Sequence, residues 1–384
     1  MNRTYRIVPT YTGDVSGACS ALFELGGMVV IHDPSGCNST YNTHDETRWY
    51  DHDSLIFISG LVERDAVLGN DDKFVRDVER AARELHPRFV ALCNSPIPYI
   101  SGTDFPALAR MIEGKTGIPT FYVQTNGMHD YVVGAGNAFA ELARRFVAPA
   151  TPRPGALNVL GVTPLDFHDQ VPQDAMESFA EEAGFEVVSC WAMGSTLDDI
   201  SRAAEASVNL VVSATGLSAA RVLCQRFGTP YVVGRPTEAF GDVLANSLRN
   251  AESSHECSKP CREARTASPS VTRVAVGEPV AMGSAAVAHK LATGEDTRIV
   301  CPLEGCSDLL CPTDVAANGE EEIERALAHA SVVVADALYA PIVPASARLV
   351  PAPHHALSGR QASSERLSPF STSRSFCLSA SRNP

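Results

Sequence analysis

Short apolar runs alternate with amphipathic stretches along most of this chain, and few folds accommodate that pattern. Met28 to Ile31, Leu55 to Ile58, Phe89 to Leu92 and Thr120 to Val123 are each too short to be a helix. Between them, stretches such as Asp72 to Leu85 place Val75, Val78, Ala82 and Leu85 at three- and four-residue spacing, the period of one helix face. Strand, helix and strand in that order make a βαβ unit, because parallel strands can be joined only by a crossover that spans the sheet. The expected fold class is α/β, built from Rossmann-like domains with mostly parallel sheets.

Three such domains are expected. The first covers residues 1–147 and precedes a proline-rich linker, Ala148-Pro149-Ala150-Thr151-Pro152-Arg153-Pro154-Gly155. The second, 156–250, has strands at Leu157 to Val162, Phe185 to Ser189, Asn209 to Ser213 and Tyr231 to Val233, with a helix at Gly216 to Phe227. Glu252 to Ser270 is polar and irregular and reads as a loop or hinge. The third, 271–360, has strands near Arg298 to Cys301 and at Val332 to Ala335, with a helix at Glu320 to Ala330. Residues 361–384 are rich in Ser and Arg without apolar period, and are expected to be disordered.

Composition removes several function classes. A net charge of -14 argues against a general nucleic-acid binder, since phosphate backbones are held by basic patches. No apolar run approaches the roughly 18 residues of a membrane helix, and Met1-Asn2-Arg3-Thr4-Tyr5-Arg6 lacks the apolar core of a secretory signal. A cytoplasmic location is expected. No phosphate-binding Gly-x-x-x-x-Gly-Lys loop is present, and Gly134-Ala135-Gly136 is too isolated to serve as a dinucleotide fingerprint.

The 11 cysteines are an odd number in a chain expected in the reducing cytosol, where thiols serve as metal ligands, redox groups or small core residues. Two of them frame one short strand. Cys19 lies in Gly17-Ala18-Cys19, on a short helix that ends at Gly26-Gly27, and Cys37 follows the turn Pro34-Ser35-Gly36 after Met28 to Ile31. That turn is expected to open a helix, whose unpaired N–H groups and macrodipole would favour the Cys37 thiolate, the form that binds iron or zinc. The plain alternative is a pair of ordinary buried cysteines.

Gly17-Ala18-Cys19, His32-Asp33-Pro34-Ser35-Gly36-Cys37 and Ser101-Gly102-Thr103-Asp104 together resemble the nitrogenase component 1 type oxidoreductases. That family includes nitrogenase subunits, cofactor-assembly scaffolds and tetrapyrrole reductases. Weaker likeness lies in Gly161-Val162-Thr163-Pro164-Leu165-Asp166, Gly194-Ser195-Thr196-Leu197-Asp198-Asp199-Ile200 and Gly277-Glu278-Pro279. The resemblance implies three α/β domains around a central cleft, a second component 1 type subunit, identical or paralogous, and an ATP-dependent iron-sulfur reductase as electron donor. It also implies an iron-sulfur cluster at the subunit interface. Cys37 matches the family's cluster cysteine, with Asp33 in place of a glycine. Cys19 stands just after the Gly-Ala pair, where the family's cysteine precedes it, and Cys93 lies three residues before Pro96, the position expected for the third ligand. Cys19 and Cys37 from each of two chains would suit one [4Fe-4S] cluster, with Cys93 as a weaker candidate, and a paralogous partner would allow a larger cluster.

Other residues are candidates for chemistry. His44-Asp45-Glu46-Thr47-Arg48 begins the densest polar cluster, in which His44, Asp45 and Arg48 are the candidates for substrate binding or proton conduction. Cys257 and Cys261, and Cys301, Cys306 and Cys311, lack the paired Cys-x2-Cys knuckles of a structural zinc site. Cys190, Cys224, His354 and His355 match the nitrogenase cofactor ligands only loosely. His354-His355-Ala356-Leu357-Ser358-Gly359-Arg360 resembles a family segment that returns to the cleft, with Arg360 as a candidate anion ligand. The expected function is an oxidoreductase subunit acting on a small-molecule substrate in the interdomain cleft. The alternatives are a metallocluster-assembly scaffold and a metal-free ligand-binding protein.

Overall fold

Each of the apolar runs becomes a parallel strand in the computed structural model, which describes residues 5–34, 46–50, 52–167, 172–237, 239–265 and 270–357. The expected tail, Arg360, Cys37, His44 and Asp45 lie outside the described residues.

The first domain comprises α1 (Asp14–Leu22), β1 (Met28–His32), β2 (Leu55–Ile58), α2 (Glu63–Leu68), α3 (Asp71–Leu85), β3 (Val90–Asn94), α4 (Pro96–Ser101), α5 (Phe105–Thr116), β4 (Thr120–Val123) and α6 (Tyr131–Arg145). Its strand order is β2-β1-β3-β4, and β1 and β3 are buried at every residue because helices cover both faces. α3 buries Phe74, Val75, Val78 and Ala82, while Leu85, read as part of the same apolar face, is 43% exposed where the helix ends at the left-handed His86.

The second domain holds β5 (Arg153–Val162), α7 (Pro164–Phe167), α8 (Pro172–Ala183), β6 (Glu186–Ala192), α9 (Leu197–Ser201), β7 (Ala206–Val211), α10 (Leu217–Phe227), β8 (Tyr231–Val233), α11 (Gly241–Ser254) and α12 (Pro260–Glu263), in the order β6-β5-β7-β8. The third holds β9 (Arg273–Val276), α13 (Pro279–Thr293), β10 (Arg298–Cys301), β11 (Val315–Ala316), α14 (Glu320–Leu327), β12 (Val332–Ala335) and β13 (Arg348–Pro351), in the order β11-β10-β9-β12-β13. All strand pairings among the described residues within these sheets are parallel.

Two segments differ from the reading of the sequence. The proline-rich linker already contains the start of β5, which begins at Arg153. The supposed hinge after Glu252 is largely tied down: α11 continues to Ser254, Ser258 bridges Val232 at the sheet edge, and α12 buries Cys261. Polar sequence there reflects an outer layer over an edge strand.

The domains are locked by two close contacts. α1 crosses α6 with almost no side chain between them: a Cβ on Gly17 would strike the Tyr131 backbone, and one on Gly134 the Asp14 backbone. α6 in turn packs on α10 of the second domain. Residues before α1 form a strap across the third domain. Ile7 is buried in that domain's core, its N–H and that of Arg6 donate to the Glu320 carboxylate at 2.9 and 2.6 Å, and the Thr12 N–H donates to the Ala356 carbonyl at 2.7 Å.

Gly134→Ala should therefore destabilise the protein by about 1–3 kcal/mol, and Gly134→Val by more. Gly114→Ala, in α5 with open space around the new methyl, should stabilise it by about 0.5–1 kcal/mol. Urea unfolding midpoints of the two variants, moving in opposite directions, are the check.

Candidate functional site

In a parallel sheet, groups just beyond the carboxyl ends of two strands whose connections run in opposite directions face a common crevice. All three sheets have such a point: between β1 and β3, between β5 and β7, and between β9 and β12. The polar motifs of the sequence sit at these points.

At the first point, β1 ends in His32 and Asp33. The Ser95 hydroxyl, just past β3, donates to the Asp33 carboxylate and, at 2.9 Å, to the His32 carbonyl. His32 Nδ1 lies 2.7 Å from the Ser59 hydroxyl, and burial, reinforced by Lys73, lowers its pKa to about 4, so it is neutral at physiological pH. Asp33, the residue that departs from the family pattern, thus serves as a clasp between β1 and β3.

Beyond Cys37 in the sequence come Glu46 and Arg48, which are buried against α1. The Arg48 guanidinium donates to Glu46 at 2.7 and 2.8 Å, to Glu24 at 2.9 Å and to the Ser20 carbonyl at 2.7 Å, and lies over the Phe23 ring. Glu24 also accepts from the Gly194 N–H at 2.9 Å, in the second domain. Arg48 is therefore a clamp whose donors are held by protein acceptors. The residues flanking the Cys37 segment on both sides are fixed to the first domain.

Cys19 and Cys93 are neighbouring thiols inside the first-domain core, each 0% exposed, and burial with the adjacent Cys93 pushes the Cys19 thiol well up. Without a metal, burial keeps Cys19 in the thiol form; ligation would require the thiolate. Cys19 is enclosed as folded, and its expected co-ligand Cys37 lies outside the described residues. Among the described residues, no group of three or more His, Cys, Asp or Glu side chains stands ready to hold a metal ion. Cys190 and Cys261 are also buried, and burial pushes both thiols up, that of Cys261 to about 12. Cys311 accepts from Arg265 at 3.2 Å.

The second and third points meet at one buried polar cluster. Asp166, beyond β5, accepts from the Tyr131 hydroxyl at 2.6 Å, the Ser213 hydroxyl at 2.7 Å and the Thr163 hydroxyl at 3.2 Å. His354 Nε2 lies 3.0 Å from the Tyr131 oxygen and 3.4 Å from Asp166. Burial opposes the Asp166 charge, but His354, Arg235 and Tyr131 together hold its pKa below the usual carboxylate range. Glu278, beyond β9, accepts from the N–H groups of Ala214 and Val280 at 3.0 Å each, and burial with nearby Asp166 raises its pKa. Arg235 lies 4.0 Å from Glu278 and stacks over Phe167. Two polar atoms in this cluster, Arg235 Nη2 and His354 Nδ1, have no hydrogen-bond partner among the described residues although both residues are at least nine-tenths buried.

Beside the cluster, Tyr11 packs on the His354 ring at 5.1 Å and also lines a cavity of about 530 Å³ between the first and third domains. Asp14, His129, Asp130 and Glu304 line it too. Asp130 accepts from the Glu304 N–H at 2.6 Å and from the Val132 N–H at 3.0 Å; burial, with the nearby Glu304 carboxylate, raises its pKa to about 6. His129 Nδ1 is 2.7 Å from Glu304. The arrangement places a cavity lined by a carboxyl of raised pKa next to the buried cluster, with Tyr11 touching both.

The model of the nitrogenase component 1 type oxidoreductase family matches residues 14–254. The chain belongs to that family. It is 23% identical over 233 residues to the nitrogenase iron-molybdenum cofactor biosynthesis protein NifE of Klebsiella pneumoniae, covering 57% of this chain and 51% of that protein. It is 26% identical over 218 residues to a light-independent protochlorophyllide reductase polypeptide of Prosthecochloris aestuarii, covering 54% and 39% respectively. The chain spans about half the length of the curated relatives it matches. In fold it superposes on the solved structure "Nitrogenase Cp1 at pH 6.5" with a TM-score of 0.66 at 14% identity, over 98% of this chain and 93% of that one. No helix among the described residues is long and apolar enough to cross a membrane.

Asp166, Glu278 and His354, each from a motif or segment singled out in the sequence, are brought together. Cys19, Cys93 and Arg48 are placed in the core instead. Tyr131, Ser213, Arg235 and Asp130 were missed by motif reading, although Asp130 announces itself as the helix-capping acid before α6.

Native Asp130 holds a proton more tightly than an unfolded carboxylate of pKa about 4, so stability from this group falls as pH rises from about 4 to 6 and stays low above that. Asp130→Asn, whose single amide oxygen can accept from only one of the Glu304 and Val132 N–H groups, adds a cost that does not vary with pH but removes that pH-dependent loss. The urea midpoint of the variant relative to wild type should climb between pH 4 and 7; a flat difference would show that Asp130 titrates normally.

Proposed function

We propose that this chain is one subunit of a component 1 type oxidoreductase, binding its small-molecule substrate in the cleft between the domains. The observation that carries this reading is the convergence of two strand-end switch points on a buried cluster in which Arg235 Nη2 and His354 Nδ1 have no hydrogen-bond partner among the described residues. Buried polar groups without partners are costly in a folded protein and are expected where a ligand completes the set.

Reduction consumes protons as well as electrons. The Tyr131 hydroxyl donates to Asp166, which leaves the Tyr131 oxygen to accept from His354 Nε2–H and His354 Nδ1 as an open acceptor. Asp130, with its pKa near 6, supplies a group that exchanges protons at the cavity wall near neutral pH. The substrate is held and protonated by these residues, with Arg235 favouring an anionic group.

Electrons come from an ATP-dependent iron-sulfur reductase. Cys37 is the proposed ligand of an iron-sulfur cluster, a [4Fe-4S] cluster shared with a second component 1 type subunit, which supplies one-electron transfer when bound. Its place in the chain suits an interface: its segment follows Asp33 at the carboxyl end of the first sheet, where the neighbouring helices α2 and α4 expose Val67, Leu68, Tyr99 and Ile100. Assembly-scaffold activity is the second reading, favoured by the likeness to NifE.

The anaerobically isolated native complex should contain two component 1 type chains with iron and sulfide, and Cys37→Ser should lose most of both. With the reductase and ATP, the complex should consume reductant continuously, and His354→Ala should slow that consumption at least tenfold while iron content stays unchanged. Iron-free native complex would overturn the reading. Full iron with no sustained consumption of reductant would favour the scaffold.

A further inference from the structure

Nine cysteines are described, and six of them stand in pairs of neighbouring thiols. Cys19 with Cys93, and Cys301 with Cys306, are enclosed in the core. The third pair differs in one respect that matters for chemistry. Cys257 is exposed, Cys224 is partly exposed, and their sulfur atoms are 3.9 Å apart.

We propose that Cys224 and Cys257 form a reversible thiol–disulfide site, oxidised by low-molecular-weight disulfides and independent of the interdomain cleft. The pairing is built by two separate parts of the fold. Cys224 is carried by α10, and Cys257 by the segment between α11 and α12. That segment is held at the sheet edge: the Ser258 N–H donates to the Tyr231 carbonyl and the Val233 N–H donates to the Ser258 carbonyl, each at 3.0 Å. Both backbones are thus fixed next to β8. Closing the sulfur separation to about 2.05 Å needs side-chain rotation of a couple of ångströms, which leaves those hydrogen bonds in place.

The surroundings assign an order to the two thiols. Cys257, open to solvent, meets an incoming disulfide first. Cys224 is more enclosed, and burial with the neighbouring Cys257 raises its pKa, so it stays a thiol until its partner has reacted. Tyr231 stands beside both thiols and Arg221, one turn earlier on α10; the Arg221 guanidinium is paired with Asp308. The Cys257 thiolate attacks one sulfur of the small disulfide, forming a mixed disulfide and releasing one small thiolate. The Cys224 sulfur, losing its proton to solvent, then attacks the Cys257 sulfur and expels the second small thiolate. The two small thiolates take up protons from solvent, so two protein thiols and one small disulfide become one protein disulfide and two small thiols. An excess of small thiol reverses both steps.

The bond would close the loop between Cys224 and Cys257, which are 33 positions apart, and that loop contains β8 and α11, the outer edge of the second domain. Cross-linking removes conformational freedom from the unfolded chain, so the oxidised protein should be the more stable form. Unlike the enclosed pairs, this one can be reached without unfolding.

The full chain, treated with oxidised glutathione and then digested without reductant, tests the proposal. The expected product is a peptide pair joined through Cys224 and Cys257, with two titratable thiols lost, a higher melting temperature, and complete reversal by excess reduced glutathione. Cys224→Ser, or Cys224→Ala should the first fold poorly, should instead retain a glutathionyl group on Cys257, and Cys257→Ser should give neither product. A stable glutathionyl adduct on wild-type Cys257 without the cross-link, or cross-links spread over other cysteines, would overturn it. Because the readout is thiol chemistry, it is unaffected by whether the cluster and cleft assignments hold.

Discussion

The reciprocal approach of α1 and α6 through Gly17 and Gly134 is the contact on which the rest of the molecule depends. It sets the helix with Cys19 against the helix that begins at Tyr131, and α6 then carries that position to α10 in the second domain. Tyr131 opens α6, so the depth of the crossing fixes where its hydroxyl meets Asp166. A larger residue at either glycine would move a buried hydrogen-bond donor as well as a helix. The Gly-Ala-Cys motif therefore acts here first through its glycine.

Much of the fold was legible because parallel strands buried on both faces give continuous apolar runs, such as Met28 to Ile31, and surface helices give a 3.6-residue period, as in α3. The strands missed were β9, β11 and β13. β11 is only two residues long, and β13 is an edge strand whose outer residues are exposed. The site was legible in part. Asp166, Glu278 and His354 lay in motifs that the sequence offers, but their meeting depends on tertiary contacts between residues far apart in the chain, as between Asp166 and His354. Conversely, Arg48 reads as a reactive cation from its polar neighbours. Only the fold shows that Glu24, Glu46 and the Ser20 carbonyl occupy it.

The buried cluster divides charge unequally between its two acids. Asp166 is held ionised by three hydroxyl donors and by His354 and Arg235, whereas Glu278, desolvated beside that charge, is pushed toward its protonated form. Two like charges enclosed together repel strongly in a medium of low polarity, so the charge on Asp166 makes ionisation of Glu278 harder. Glu278 meanwhile receives N–H groups from the second domain and from its own helix start, which lets one side chain join two domains.

The strap formed by Arg6 and Ile7 has a bearing on how the chain reaches this state in the cell. A ribosome delivers residue 7 long before residue 320, yet Ile7 finds its enclosure only among side chains of the third domain, and Thr12 its acceptor only at Ala356. The first domain can assemble its sheet while synthesis continues, but its leading segment must wait, uncovered, for the last sheet to emerge. Burial of that segment thereby marks the completion of translation through all three sheets.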